Sequence, residues 1–227
     1  MDRRNGLKLG AAFIAGLTFP SLTTPAEVPL PQSAKTFLKL IKTRRSIRKF
    51  KSTPIPEEHL IAIVDAARMA PCAGNEQPWK FLVIQEEEQV AALRNELVKE
   101  TEKYLRENQT LTGKELVKQA KEMTEKRIAG RLSAPAYIVV LADKARKYPT
   151  YNRHDGPLAA STLLLAAWAF GYGTVYLTDS FPEPVVKKAF NIPEQYEMVC
   201  LTPIGVPDEK PKAKKKELKE FIVKEGF

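Results

Sequence analysis

The sequence predicts an α+β fold in which amphipathic helices surround a small sheet. Three apolar runs of strand length, residues 80–85, 136–142 and 198–204, are hydrophobic enough to form buried strands. Helical spacing of apolar residues appears between these runs, so helices and strands neither alternate strictly nor segregate along the chain. The chain has 227 residues, 44% of them apolar, which suits one domain with a real core and an extension.

The first predicted elements are two helices and a loop. An apolar-periodic segment at 37–41 indicates a short helix. A second helix is predicted at 57–70, because Pro56 and two glutamates suit its first turn and Pro71 stops it. Residues 71–79 are rich in helix breakers and predict a loop before the first strand.

Residues 87–131 predict two densely charged helices that are separated near residues 110–113. Their apolar positions recur at helical spacing but leave most of each surface charged. This pattern predicts a half-exposed pair that covers something, rather than core. One apolar stripe comprises Val90, Leu93, Leu97 and Tyr104, and the other comprises Val117, Ala120, Thr124 and Ile128.

Residues 157–170 are apolar nearly all round and predict a central, buried helix. Several small residues in it would allow close packing, for example against a second copy of the same helix. The polar stretch 148–156 predicts a turn, in which Asp155 caps the helix or, as a less favoured alternative, acts with His154 in catalysis. The remaining predicted elements are a strand at 174–177, a helix at 182–190 and the last strand.

The net charge of +9 lies largely in a terminal run of lysines, and its distribution argues against a nucleic-acid surface. No aromatic side chain interleaves with that run before Phe221, so no stacking platform for bases is indicated. Two cysteines and two histidines are too far apart for a zinc site, and no Gly-x-Gly-x-x-Gly or Walker loop is present. The run comprises Lys210, Lys212, Lys214, Lys215, Lys216 and Lys219.

Residues 1–32 differ in composition from the rest and predict an N-terminal extension. Arg3 and Arg4 precede a short apolar run that ends at Phe19 and is too short to span a bilayer. The pattern resembles a twin-arginine export signal covering residues 1–26, and an arm packed on the surface or on a partner subunit is the alternative. We therefore expect no stable membrane insertion, and a location that is cytoplasmic or, if the signal acts, exported.

Two stretches provide groups that suit a phosphate. If the basic segment after the first helix is extended, Arg44, Ser46 and Arg48 project from one side and offer two guanidinium groups and a hydroxyl. Lys214 and Lys216 have the same spacing and would add charge toward the same anion. A solvated basic turn is the structural alternative.

The loop at 71–79 provides groups that suit the edge of a heterocyclic ring, because Asn75 and Gln77 each carry a donor and an acceptor. The chain shows no nucleophile elbow, no Ser-His-Asp signature and no metal-ligand spacing. If the protein is an enzyme, we therefore expect its chemistry to belong to a bound cofactor.

Four blocks, in order, resemble the nitroreductase family of flavin enzymes. Residues 44–48 resemble the family's phosphate-binding motif, and Ala70–Trp79 resemble its Ala-Pro-Ser-x-x-Asn-x-Gln-Pro-Trp loop. Gly171–Leu177 resemble the segment that ends against the flavin ring, and Gly205–Lys216 resemble the closing Gly-x-Pro and basic block. Together the blocks cover about residues 35–217.

The resemblance implies an FMN-binding domain at 33–227, with 87–131 as a helical substrate lid and 208–227 as a basic C-terminal arm. It implies a nitroreductase-like mixed sheet flanked by helices, and a homodimer with an exchanged arm in which Lys219–Val223 adds a strand. The implied reaction is ping-pong: NAD(P)H reduces FMN, which then reduces a nitroaromatic, a quinone or a similar small acceptor.

The resemblance also implies roles for individual residues, with no catalytic side chain because FMN carries the chemistry. The phosphate would be held by Arg44, Arg45, Ser46, Arg48, Lys214 and Lys216. The ring would be met at its polar edge by Asn75 and Gln77, and from the second subunit by Pro71, Cys72 and Ala73. One ring face would be covered by Tyr176 and Leu177, with backbone groups near Thr178 and Asp179 at the reactive nitrogen.

Three departures from the family pattern affect contacts expected near the flavin. Cys72 replaces the usual serine, Thr178 and Asp179 stand where glycine or glutamate is common, and Lys216 replaces an arginine. A second hypothesis stays within the same fold: specialised relatives that dehalogenate aromatic rings, or that consume their own flavin to make a benzimidazole. A non-catalytic basic module that binds an anionic partner is the third.

Overall fold

The computed structural model describes residues 29–108, 112–128 and 130–223, and these contain six α-helices and four strands. The helices are α1 Gln32–Thr43, α2 Glu57–Ala67, α3 Glu87–Asn108, α4 Gly113–Ile128, α5 Asn152–Ala169 and α6 Glu183–Phe190. The strands are β1 Trp79–Ile84, β2 Ala136–Asp143, β3 Gly173–Thr174 and β4 Tyr196–Gly205.

The strands form one sheet in the order β1-β2-β4-β3, and all three ladders are antiparallel. A parallel bridge between Ser46 and Thr174 gives the sheet its mixed character. All eight residues of β2 are buried, as the sequence predicts for a central strand. β1 is instead an edge strand, and the side chains of Lys80 and Val83 are exposed.

Each face of the sheet carries a layer of helices. Alternate side chains of β2 point to opposite faces, so Val139 lies in one apolar cluster and Ile138 in the other. The first cluster includes Leu93 and Leu97 of α3 with Val185 and Val186 of α6. The second includes Leu60 and Ile63 of α2 with Leu163 and Ala167 of α5. The predicted α+β fold is confirmed.

The prediction that the helical pair at 87–131 lies outside the core is wrong for its sheet-proximal half. Leu93 and Leu97 belong to the larger apolar cluster, and the buried stripe continues to Thr101 and Leu105 at i, i+4 spacing rather than to Tyr104. Tyr104 is exposed, and the distal ends of α3 and α4 form a separate small cluster. α3 is therefore fastened to the sheet and to α6 rather than free to swing as a whole.

The prediction of a turn over 148–156 is wrong for its second half, because α5 begins at Asn152 and Pro157 lies inside the helix. Pro157 is the sixth residue of α5, so it lacks the backbone N–H that would donate to the carbonyl of Arg153. α5 is also not buried all round: Leu158 is 44% exposed, whereas Leu163 and Ala167 are fully covered. Phe170, the residue directly after the helix, is also 44% exposed. The exposed face accords with the prediction that a second copy packs there, which a single chain does not test.

Two strands predicted in the C-terminal half differ from what the structure has at 174–177 and 219–223. β3 covers only Gly173–Thr174, and Leu177 adds one isolated bridge to Leu201. The strand expected at 219–223 is not formed in the single chain, in which Leu218–Glu220 is a 3-10 turn closed by the side chain of Glu217. A strand in an exchanged arm needs a partner sheet edge, so the exchange stays a prediction.

Within the described part of the chain, no helix combines the length and apolar character that crossing a bilayer requires. The same residues contain no cluster of His, Cys, Asp and Glu side chains that could hold a metal ion. Residues 1–28 lie outside the described residues, so the predicted export signal is not tested.

Candidate functional site

The basic segment that follows α1 is extended and held on both sides by backbone hydrogen bonds. Ile47 N donates to Thr174 O at 2.9 Å, and Lys51 N donates to Val206 O at 2.9 Å. The segment lies so close to β3 that a Cβ on Gly173 would stand 2.6 Å from Ile47 Cγ1. The Arg-Arg-Ser-Ile-Arg segment is therefore fixed between the edge of the sheet and the loop after β4.

Four cationic side chains line one hollow beside α5. Arg44 and Arg45, both half-buried, lie there with Lys215, and the hollow measures about 620 Å³. Its remaining wall comprises Ile41, Lys42, Ser161, Leu164 and Leu165. Two guanidinium groups, two ammonium groups and a hydroxyl beside an apolar wall fit a phosphate ester with an organic tail.

The predicted one-sided arrangement of Arg44, Ser46 and Arg48 is not what the structure has. Arg45 shares the hollow with Arg44, whereas the exposed Arg48 does not line it. Ser46 is half-buried and bridges Thr174, since the segment is paired there rather than freely alternating. The phosphate assignments of Ser46 and Arg48 stay predictions.

The two lysines predicted from the C-terminal block are exposed in the single chain. Lys216 Nζ lies 3.6 Å from Glu220 Oε2, and Lys214 makes no ion pair with any residue between 29 and 223 that the structure describes. Lys215, to which the sequence assigned no role in the site, is the lysine of this run that reaches the hollow.

Glu209 anchors the basic segment and was missed in the sequence. Its Oε1 accepts from Arg48 N at 2.5 Å and from Lys49 N at 3.1 Å. Asp208 N in turn donates to Lys49 O at 2.9 Å. A carboxylate 160 residues away in the chain has no local signal, so only the fold reveals this contact.

The loop at 71–79, which we call the ring-edge loop, has an unusual backbone. Gly74, Asn75 and Gln77 all have positive φ, at 58°, 57° and 49°. The left-handed region is costly for side chains other than Gly and Asn, so Gln77 must be held by its surroundings. Gln77 N donates to Cys72 Sγ at 3.3 Å, and Gln77 Nε2 donates to Asn75 Oδ1 at 3.3 Å. The two amides are thus organised as one exposed unit.

The same loop is fastened to the first turn of α5. Asp155 is 5% exposed, and its Oδ2 accepts from Ala73 N at 3.0 Å. It therefore neither caps the helix, as the sequence suggested, nor pairs with His154. The rise of α5 from Asp155 to Ser161 is roughly 9 Å. One helix thus carries the ring-edge loop and the cationic hollow.

The segment after β3 differs in part from its predicted role. Leu177 lies in the larger apolar cluster with its backbone paired to Leu201, so its side chain is not available to cover a ring. Tyr176 is exposed, and its hydroxyl donates to Val199 O at 3.1 Å. Thr178 is exposed and donates to Asp179 Oδ1 at 3.0 Å.

One contact joins α4 to this segment: Arg127 Nη2 donates to Asp179 O at 2.9 Å.

Burial raises the pKa of the Cys200 thiol to about 12, and burial is also the main cause that raises the pKa of Tyr176. Cys200 is therefore an inert core residue, whereas Cys72 is half-buried within the ring-edge loop.

Comparison with known proteins identifies the group to which this chain is similar. A model of the nitroreductase family matches residues 41–206. An Archaeoglobus fulgidus protein named "Putative NADH dehydrogenase/NAD(P)H nitroreductase" is 34% identical over 183 residues, covering 76% of this chain and 87% of that protein. Iodotyrosine deiodinase of Thermotoga neapolitana is 33% identical over 185 residues, covering 79% of this chain and 93% of that protein.

A solved structure shares the fold. Oxidized iodotyrosine deiodinase bound to FMN and 3-iodo-L-tyrosine has a TM-score of 0.64 and 29% identity, and the match covers 84% of this chain and 99% of that one. A 5,6-dimethylbenzimidazole synthase of Rhodospirillum rubrum is 27% identical over 179 residues, covering 75% of this chain and 81% of that protein. The family match covers more than half of the chain and includes three of the four sequence blocks, so this chain belongs to the nitroreductase family.

Proposed function

We propose that the protein is an FMN-dependent oxidoreductase that passes electrons from NAD(P)H to a small acceptor such as a nitroaromatic or a quinone. The observation that supports this most directly is the hollow lined by Arg44, Arg45 and Lys215, whose donors suit the phosphate of FMN. FMN is bound in the solved deiodinase structure that shares the fold. Bound FMN would accept a hydride and return two electrons to the acceptor.

The chain's own residues would bind and orient this group. Arg44 and Arg45 would neutralise the phosphate, and Glu209 would keep their segment in place through Arg48 N and Lys49 N. The amide of Asn75, oriented by the amide of Gln77, would meet the polar ring edge. Preorganised contacts of this kind lower the ordering cost of binding.

A homodimer is part of the proposal, because several large apolar side chains are exposed on α1, α5 and the C-terminal arm. Phe37 is 55% exposed, Leu158 44% and Phe221 67%. A subunit interface would cover these side chains. The ring-edge loop and the hollow would then serve flavins at the interface of the two subunits.

Reductive dehalogenation of an aromatic ring is the second candidate activity. The observation that favours it is the 33% identity to iodotyrosine deiodinase over 93% of that protein. Turnover of 3-iodo-L-tyrosine to tyrosine by the chemically reduced protein would support it. Rapid reoxidation by quinones with no loss of iodide would favour the first candidate.

An anaerobic absorbance titration tests the proposed function. The protein should purify with flavin absorbance or acquire it on adding FMN, and the bands should bleach with NADH or NADPH and return with a quinone. Bound flavin that neither nucleotide reduces would leave the dehalogenase candidate with another electron donor. A protein that takes up no FMN would refute both candidates.

Substitution of the arginines in the hollow tests the binding assignment. Each hydrogen bond to a charged group contributes about 1.5–3 kcal/mol, so Arg44→Ala with Arg45→Ala should weaken FMN binding by a hundredfold or more, on the order of 3 kcal/mol or above. Arg48→Ala should have a smaller effect, since Arg48 does not line the hollow. Equal losses of FMN affinity in Arg44→Ala, Arg45→Ala and Arg48→Ala, each made singly, would refute this placement. The control is Lys80→Ala, because Lys80 is an exposed lysine on β1.

A further inference from the structure

The segment between β2 and α5 presents an exposed surface that the proposed function does not use. Residues 144–154 contain four cationic side chains and no acidic one. Tyr148 is 38% exposed and Tyr151 is 51% exposed. The aromatic-basic patch, as we name it, comprises Arg146, Lys147, Tyr148, Tyr151, Arg153 and His154.

The rings of the patch form a row because they are spaced three residues apart around a 3-10 turn at Pro149–Tyr151. The ring centroids of Tyr148 and Tyr151 lie 6.3 Å apart, and the two ring planes make an angle of 82°. The ring centroids of Tyr151 and His154 lie 6.4 Å apart, with an angle of 59° between the planes. Lys147 Nζ lies 5.0 Å from the Tyr148 ring centroid. Aromatic rings and cationic side chains thus lie next to one another, a combination that recognises a base linked to phosphate.

The patch remains positive after its acidic neighbours are counted. Arg146 Nε lies 3.5 Å from Asp143 Oδ2, and Glu76 Oε2 accepts from Lys147 N at 3.2 Å. The two carboxylates against the three cations of the patch leave a surplus of one positive charge, even with His154 neutral. Arg153 Nε donates only to the imidazole of His154 among the described residues, so its charge is not paired.

The patch is continuous with the ring-edge loop. A Cβ on Gly74 would stand 2.7 Å from Tyr148 Cε2, so the loop is seated directly on this ring. Glu76, on the same loop, is the residue that holds Lys147 N. A ligand lying on the patch would therefore extend to the loop where Asn75 and Gln77 present their amides.

We propose that the aromatic-basic patch binds the adenosine-phosphate end of the nicotinamide dinucleotide. The adenine would lie on Tyr151, and Lys147 with Arg153 would meet the 2′-phosphate, so NADPH is preferred to NADH. This inference rests on the proposed function, because it gives the electron donor its docking surface. A dinucleotide is the ligand that combines a base, several phosphates and a nicotinamide that must reach the flavin.

The test compares donors that have or lack the adenosine end. Loss of one base–aromatic stack should raise KM for NADPH about fivefold or more in Tyr151→Ala. Lys147→Gln should reduce the preference for NADPH over NADH about two- to fivefold, as expected for an exposed ion pair. Both variants should reduce at the unchanged rate with a benzyl-dihydronicotinamide, which has no adenosine, and Lys80→Gln is the matched charge control.

Direct binding of 2′,5′-ADP, measured by calorimetry, tests the patch without any turnover. The affinity should fall in both variants and in added salt, and remain unchanged in Lys80→Gln. An unchanged KM and affinity in Tyr151→Ala would overturn the inference, as would an equal loss with benzyl-dihydronicotinamide. Failure of every reduced nicotinamide to bleach the flavin would instead refute the proposed donor. If the variants weakened the binding of an oligonucleotide but not that of 2′,5′-ADP, the patch would be assigned to nucleic acid and the inference would be wrong.

Discussion

α5 approaches the sheet closely at Gly156, and substituting this residue gives a sharp test of how the site is positioned. A Cβ at this position would stand 2.4 Å from Val199 Cγ2 and 3.2 Å from Val199 Cγ1. Such distances force α5 away from β4. Overpacking of this kind costs about 1–3 kcal/mol. The adjacent Asp155, which holds Ala73 N, would shift with the helix.

The magnitude follows from a double-mutant cycle. Gly156→Ala gains up to about 1 kcal/mol of helix propensity, reduced by the following Pro157, and loses the overpacking energy. In Val199→Ala both methyl groups are gone, and the remaining atom, Val199 Cβ, lies at 3.4 Å, an ordinary contact. The propensity and proline effects occur in both backgrounds and cancel, so the coupling free energy should be about 1–3 kcal/mol.

The assay is urea unfolding of the parent, the two single variants and the double variant, with flavin occupancy recorded for each. The double variant should be more stable than the sum of the single effects predicts, and should regain the flavin that Gly156→Ala loses. Single effects that add within about 0.3–0.5 kcal/mol would refute the close-packing argument. Full flavin occupancy in a destabilised Gly156→Ala would show that Asp155 does not position the loop.

Three further outcomes are expected. One thiol should react with a disulfide reagent in the native protein and two after unfolding, because Cys200 is 1% exposed with a pKa of about 12, and Cys72→Ser should abolish the native reaction. Glu209→Ala should weaken FMN binding roughly tenfold, with partial rescue by Gln, which keeps an acceptor for the backbone of the basic segment; an unchanged affinity would show that this anchor is dispensable. Thr101→Val should lower the free energy of unfolding by about 1–3 kcal/mol, because it leaves the buried Thr124 hydroxyl unpaired. Adding Thr124→Val should recover part of that loss. A double variant with a lower free energy of unfolding than the single variant would contradict this.

Local patterns in the sequence predicted most elements because they depend on neighbouring residues. The acidic first turn of α2, the burial of β2 and the charged surface of α3 are consequences of side-chain spacing, and the structure confirms them. The start of α5 was misplaced because Pro157 looks like a helix beginning, although the helix already runs from Asn152. Such a boundary depends on packing against β4, which local propensity does not report.

The sequence by itself determined the fold class, the family resemblance and the residue types available to a flavin, because these follow from motifs whose members lie close together in the chain. Only the tertiary structure decided that Arg45 and Lys215 share the hollow with Arg44, and that Leu177 is core. It also decided that Asp155 anchors the ring-edge loop. These contacts join residues up to 171 positions apart, and their geometry is set by how helices pack on the sheet, for which no short stretch of sequence carries a signal.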